Sequence, residues 1–275
     1  MSPLLTLEGL TRRFAGLVAV DGVDMQVAPG GVHAVIGPNG AGKTTLFNLI
    51  SGLVEPSAGR IGLAGQDMTA FAPERRAALG LGRTFQNIRV FAAMTVLENV
   101  LTGLHTRTAA GLPGVLLRLP RFRAEERRAV ERARAALGLV GLADKADRRA
   151  SALSYGDQRR LEIARAMAPE PRLLMLDEPA AGMNPAETEA LAVLVRRLRD
   201  VGATVLLVEH DMGFVMDISD RVTVLNFGRL IFEGPPAAAR QDRTVIEAYL
   251  GPKVAARLAA GARAGVRGAG VRGAG

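Results

Sequence analysis

Three stretches of this 275-residue chain hold side chains whose types and spacing suit chemistry on phosphates. The first is Gly37-Pro38-Asn39-Gly40-Ala41-Gly42-Lys43-Thr44-Thr45, which fits the phosphate-loop pattern G-x-x-x-x-G-K-[ST]. Its glycines let the backbone curl so that successive N–H groups point inward at an anion. Lys43 can then reach the β- and γ-phosphates of a nucleotide, and the Thr44 hydroxyl can ligate Mg2+. Lysine is scarce among the basic residues of this chain, yet one sits here, where a compact point charge suits phosphate. The second stretch, residues 173–179, is an apolar run that ends in Asp177-Glu178. A carboxylate at the C-terminal end of a buried strand lies in the crevice where α/β sheets bind ligands. There Asp177 can share Mg2+ with Thr44, and Glu178 can orient and deprotonate an attacking water. The third stretch, residues 153–160, opens a helix. Its Ser154 and Gly156 offer a hydroxyl, free N–H groups and a positive dipole end to an anion. Taken alone, this third stretch is merely a capped helix.

To act on one ligand, these side chains need a strand–loop–helix frame, and the flanking sequence supplies one. Val32–Ile36 is an apolar run before the loop, and residues 45–50 are helix-like after it, so the phosphates sit at a helix N-terminus. Residues 4–10 and 23–27 alternate like strands, and Pro29-Gly30-Gly31 turns the chain into the strand before the loop. A short strand at 60–63, a turn at Gly65 and a short helix over 74–79 follow. From about residue 87 the pattern turns helical. Thr95 and Glu98 fit a capping box that opens a helix to about His105. Residues 106–120 read as a Gly/Pro-interrupted loop and 122–137 as a helix. Seven arginines and three glutamates lie between Arg118 and Arg134. That charge run reads as a solvated helix face, the alternative being a face toward acidic lipid headgroups or a partner's acidic loop. Strands and helices then alternate. An apolar strand at 172–177 leads to a helix over 185–200, with Asn184 as N-cap and Pro185 in its first position. The continuous apolar strand at 203–208 suits a parallel sheet covered on both faces. Strands near 221–225 and 229–232 and a last helix at 245–250 complete the pattern.

Composition sets the outer bounds. The chain is long enough to bury a full core, and its 48% apolar content is ordinary for a globular protein. It has no cysteine, hence no disulfide and no thiolate metal site. Its first residues read as no signal peptide, and no apolar run approaches the ~18 residues of a membrane span. The net charge of +8 would suit nucleic acid, but residues 252–275 carry five basic side chains and no acid. The surplus is mostly a tail effect. That tail repeats Ala-Gly-Val-Arg-Gly and reads as disordered.

Together the three stretches resemble the ATP-binding cassette (ABC) ATPases, and the resemblance covers nearly all of residues 4–251. It implies an α/β fold: a P-loop NTPase core with a parallel sheet, an antiparallel β subdomain and a helical insert. The implied division is 1–87 for the first part of the ATP-binding core and 88–155 for the helical subdomain ending at the signature motif. Residues 156–251 would form the rest of the core and the C-terminal helix, and 252–275 the tail. ATP and Mg2+ are the implied cofactors. Gly37, Pro38, Asn39, Gly40, Ala41, Gly42, Lys43, Thr44, Thr45 and Gln86 would bind ATP, and Thr44, Gln86 and Asp177 the metal. Lys43, Glu178 and His210 would be catalytic, with His210 in the place of the family's switch histidine. Ser154, Tyr155, Gly156 and Asp157 resemble the signature motif, which serves the ATP of a partner subunit across a nucleotide-sandwiched dimer. Phe14 falls where the family stacks an aromatic on adenine, a core Phe being the other reading. Two positions depart from the common pattern. Tyr155 and Asp157 stand where Gly and Gln are usual, and Asn184 stands where many members carry Asp.

The strings around 154–165, 178–185 and 208–212 are similar to one ATPase subunit of the high-affinity branched-chain amino acid importers. So are Arg83-Thr84-Phe85-Gln86 and Ala248-Tyr249-Leu250-Gly251. The implied partners are a second cassette ATPase (a different chain, or a second copy), two membrane permeases and, through them, an external binding protein. No nucleic acid is expected, and the implied place is the cytoplasmic face of the membrane, peripherally. A urea or amide importer, a lipid or polysaccharide exporter, and a soluble cassette ATPase working on nucleic acid or ribosomes are the other readings.

Overall fold

The computed structural model describes residues 2–104 and 120–250, except for the side chains of 120–123 and 250. The tail at 252–275, the end of the helix at His105 and the loop at 106–119 lie outside the described residues.

Two sheets carry the structure. The smaller has the order β2-β1-β4-β5 and is antiparallel throughout: β1 (Leu5–Phe14), β2 (Leu17–Val27), β4 (Ala58–Leu63) and β5 (Gln66–Asp67). The larger has the order β10-β9-β3-β8-β7-β6: β3 (Val32–Ile36), β6 (Leu81–Arg83), β7 (Leu173–Asp177), β8 (Thr204–Val208), β9 (Arg221–Asn226) and β10 (Arg229–Gly234). Its pairs are parallel except for the edge strand β10 on β9. β3, β7 and β8 are buried at every residue, as strands covered on both faces must be.

Side chains alternate across a strand, so each central strand feeds two cores. On one face, Val35, Met175, Leu206 and Val208 pack with Leu46, Phe47, Leu49 and Ile50 of α1 (Lys43–Ser51), which is closed from behind by Leu5, Leu7 and Ile61 of the smaller sheet. On the other face, Ala34, Ile36, Leu174, Leu176, Val205 and Leu207 belong to a cluster shared with six helices. These are α3 (Val96–Leu104), α4 (Pro120–Leu139), α5 (Tyr155–Met167), α6 (Pro185–Asp200), α7 (Met212–Ile218) and, through Val245, α9 (Arg243–Leu250). The short α2 (Pro73–Ala78) leads to β6, while α8 (Pro236–Ala239) and α9 (Arg243–Leu250) follow β10.

Local chemistry accounts for the helix starts. Thr95 and Glu98 form the expected capping box, with Glu98 N donating to Thr95 Oγ1 (3.1 Å) and Thr95 N to Glu98 Oε2 (2.7 Å). Asn184 caps α6 and makes a second capping box with Glu187. Within α4, Arg127, Arg128, Glu131, Arg132 and Arg134 are exposed while Ala133, Ala136 and Leu137 are buried, so this part of the charge run is a solvated face; Arg118 and the side chains of Arg121 and Arg123 lie outside the described residues. The structure also extends what the sequence pattern offered. β1 and β2 run several residues further, because register shifts around Gly9 and Gly22 (φ +57° and +61°) break the two-residue alternation. β6 has only three residues, too few to show a period, and α7 follows its strand after a single capped turn at Asp211.

Candidate active site

The phosphate loop joins the end of β3 to α1 through backbone that only glycine tolerates well. Gly37 has φ +151°, and a Cβ there would lie 2.2 Å from the Leu225 carbonyl oxygen. Gly42 has φ +102°, and its Cβ would fall 2.4 Å from the Ala19 oxygen. Both conformation and close approach therefore fix these residues. Gly42 is the N-cap of α1 and, having no side chain, leaves the N–H groups of the first turn without a side-chain acceptor. This gives an anion the positive end of a helix flanked by Pro38, Asn39, Gly40, Ala41, Thr44 and Thr45. Lys43 is buried, and its Nζ donates to the carbonyls of Gly37 (2.7 Å) and Pro38 (3.1 Å). Burial lowers its pKa, and the negative charge of Glu178 opposes that shift, so the two side chains share one electrostatic neighbourhood.

Asp177 closes β7 and is 2% exposed. Burial raises its pKa, countered by Arg83, whose Nη2 donates to Asp177 Oδ2 at 2.8 Å. Arg83 also donates to Asn48 Oδ1 (2.9 Å) and Ser51 Oγ, so it ties the carboxylate to α1. Glu178 adopts φ +46°, which is costly for a residue with a Cβ. Its amide is fixed to the Val208 carbonyl at 3.0 Å, and its Oε2 accepts from Gln86 Nε2 at 2.9 Å. Gln86 thus reaches Glu178 directly.

His210 follows β8 with a side chain 59% exposed. It is anchored through its backbone: His210 N donates to Glu209 Oε2 (3.1 Å), while Glu209 Oε1 accepts from Ala180 N (2.7 Å). Glu209 is buried, which pushes its carboxyl pKa up. Phe14 is 40% exposed rather than in the core, and the Arg12 guanidinium lies 4.5 Å from its ring centroid.

The signature stretch forms the start of α5. Ser154 is its N-cap, with Oγ accepting from Asp157 N at 3.2 Å. Tyr155, in place of the usual Gly, donates its hydroxyl to the Ala181 carbonyl at 3.0 Å. Gly156 is buried against α6, where an added Cβ would lie 3.0 Å from Glu187 Oε1. Asp157 is held apart from the other three. Its carboxylate pairs with Lys145 (2.5 Å) and Arg160, so it faces its own chain. Asn184 spends its side chain on the cap of α6, which explains how an amide serves there without a carboxylate.

Several working residues escaped the sequence reading. Arg83, Glu209 and the buried pair Arg159–Glu162 stand within the strings that carry the resemblance, but nothing in those strings assigns them a role. Among the described residues no three His, Cys, Asp or Glu side chains cluster as a metal cage. One carboxylate, Asp177, and one hydroxyl, Thr44, are hard oxygen donors that suit Mg2+ bound mainly through water and nucleotide phosphates.

Comparison with known proteins agrees with this geometry. Residues 20–181 match the model of the ABC transporter family, and residues 229–251 match that of the branched-chain amino acid ATP-binding cassette transporter. The chain is 48% identical to the high-affinity branched-chain amino acid transport ATP-binding protein LivG of Escherichia coli (strain K12), over 90% of this chain and 98% of that one. It is 38% identical to the lipopolysaccharide export system ATP-binding protein LptB of Acidithiobacillus ferridurans, over 91% of this chain and 98% of that one. Among solved structures it resembles the ADP conformation of MJ1267, an ATP-binding cassette of an ABC transporter, with a TM-score of 0.80 and 32% identity over 91% of this chain and all of that one. With its phosphate loop, paired acids and capped signature helix, the chain belongs to the ABC transporter family of ATP-binding cassette ATPases.

Proposed function

We propose that this chain is the ATP-hydrolysing subunit of an importer for branched-chain amino acids. The observation that carries the ATPase reading is the meeting of Gln86, Glu178, Asp177 and Lys43 at the C-terminal edge of the parallel sheet. In this reading the loop 37–45 cradles the phosphates of ATP, Lys43 leaves the Gly37 and Pro38 carbonyls for the γ-phosphate, and Phe14 stacks on adenine. Thr44 and Asp177 would hold Mg2+, with Gln86 beside them; when bound, the ion neutralises charge on the β- and γ-phosphates. Glu178 accepts the proton of the attacking water, and exposed His210 contacts the γ-phosphate. Positioning and electrostatics then supply most of the rate.

Ser154, Tyr155 and Gly156 would complete the ATP site of a second cassette subunit. The likeness to LivG and the match over residues 229–251 support a branched-chain amino acid transporter. The relative named for lipopolysaccharide export supports the exporter reading less well, at lower identity. Two permeases, reached by an external binding protein, would bring the chain to the inner face of the membrane; among the described residues no helix is long and apolar enough to cross it. A cavity of about 430 Å3 between the loop after β6 and helices α3 and α5, lined by Arg83, Phe85, Arg89, Phe91 and Arg165, suits a permease segment. ATP-driven closure of paired subunits would then move the permeases.

The test is Glu178→Gln in the assembled transporter. Turnover is expected to fall at least ~100-fold while ATP binding persists and a closed dimer accumulates. Unchanged hydrolysis would remove Glu178 as the base. The substrate is tested by ATP-dependent uptake of leucine against urea in vesicles carrying the complex.

A further inference from the structure

The buried pair Arg159–Glu162 has no place in the reading above. Both residues lie on α5, one turn apart, with side chains 0% and 1% exposed and 3.0 Å between them. A buried ion pair contributes little net stability, because desolvation offsets the Coulomb attraction. Its other partners are therefore informative. Arg159 Nη1 donates to the Phe85 carbonyl (2.9 Å) and Nη2 to the Gln86 carbonyl (3.0 Å). Glu162 Oε1 lies 3.4 Å from the amide nitrogens of both Phe85 and Arg89. From within the protein, α5 thus grips the backbone of the loop 85–89 at both ends. The Gln86 side chain leaves this loop toward Glu178, 2.9 Å away.

We propose that Arg159 and Glu162 are positioning residues for hydrolysis: by fixing the backbone of residues 85–89 from α5, they set where the Gln86 amide meets Glu178. The same helix begins at Ser154, so one rigid element spans from the hydroxyl offered to a partner's nucleotide to the glutamine of this chain's own site. The grip on the loop is a property of the fold. Its catalytic consequence rests on the proposed ATPase reading.

The test removes both charges at once, since a single deletion would strand the other charge in the interior. The variant Arg159→Met/Glu162→Leu keeps apolar volume at both positions. Hydrogen exchange on the full chain should quicken about tenfold in residues 85–89 while the central strands keep their protection. In the assembled transporter, kcat should fall about tenfold with KM for ATP within about twofold. Adding Gln86→Ala should then cost little more, although Gln86→Ala alone slows the unmodified complex, because one interaction has been removed twice. Unchanged exchange in 85–89, unchanged kcat, or full additivity with Gln86→Ala would each overturn the proposal. If the double variant does not fold, Arg159→Lys decides by the same three readings at about threefold size, since its single ammonium cannot hold both carbonyls and Glu162 together. If the unmodified complex does not hydrolyse ATP, the proposed function fails and exchange in residues 85–89 alone decides the grip.

Discussion

Two helix N-termini in this molecule carry residues proposed to meet nucleotide, and they are built differently. At α1 the N-cap is a glycine with no side chain, the first turn is left without a side-chain acceptor, and the helix is walled between two sheets. At α5 the N-cap is Ser154, already closed on the Asp157 amide, and the helix packs on the opposite face of the six-stranded sheet. The first end is a completed cradle for this chain's own ligand. The second is a finished helix start with a hydroxyl to spare. In the proposed function, a nucleotide seated at α1 meets an end of the second kind from another subunit.

This contrast can be broken most sharply at the two polar side chains. Lys43→Ala should weaken ATP binding to the isolated chain about 100-fold, as expected for loss of a charge-assisted contact. Ser154→Ala should leave that affinity within about twofold, yet slow turnover of the assembled transporter about tenfold. Equal losses of ATP affinity by equilibrium titration of the two isolated variants would sink the division of labour.

The glycines should separate next. Gly37→Ala forces a Cβ against the Leu225 carbonyl in a strained conformation and should cost about 3 kcal/mol or more in chemical denaturation. Gly156→Ala meets the Oε1, Cδ and Cγ atoms of Glu187 at 3.0–3.2 Å, a side chain held in the capping box with Asn184, so its cost should be about 1–2 kcal/mol, below that of Gly37→Ala. A reversed order would mean that the α5 end is the more tightly specified.

A pH-dependent effect, partial in the mildly acidic range, concerns His33, beside α1's face of the sheet, where Nε2 meets Thr223 Oγ1 at 2.7 Å. Burial, then the charge of Arg221, lowers its pKa from 6.5 to about 4. The neutral form is favoured in the fold, so this stability is present above pH 6.5 and is lost as pH falls through 4. The full loss is about 3 kcal/mol, and only part of it is reached at pH 5. Denaturation of the wild type against His33→Gln between pH 7 and pH 4 isolates this share; parallel curves would refute it.

The phosphate loop, the acids after β7 and the caps at Thr95, Ser154 and Asn184 were legible because each is written in contiguous residues whose spacing carries the physics. Arg83 and Glu209 were not. Arg83 meets Asp177 across 94 positions, and Glu209 meets Ala180 across 29. Tyr155 and Asp157 read as departures from a pattern, but their reasons, the Ala181 carbonyl and the Lys145–Arg160 pair, come from elsewhere in the chain.

The sequence by itself determined the chemistry: which loop takes phosphate, which acids follow the strand, which helices begin where, and which family the chain resembles. Short-range backbone preferences and capping hydrogen bonds act between neighbours, so local spacing suffices for them. Tertiary structure alone decided that α1 and α5 lie on opposite faces of one sheet, that Asp157 turns away from the signature's exposed side, and that a buried arginine on α5 holds the backbone of Gln86. Those outcomes depend on which strand stands beside which, and on interior charges finding carbonyls far along the chain once water is excluded.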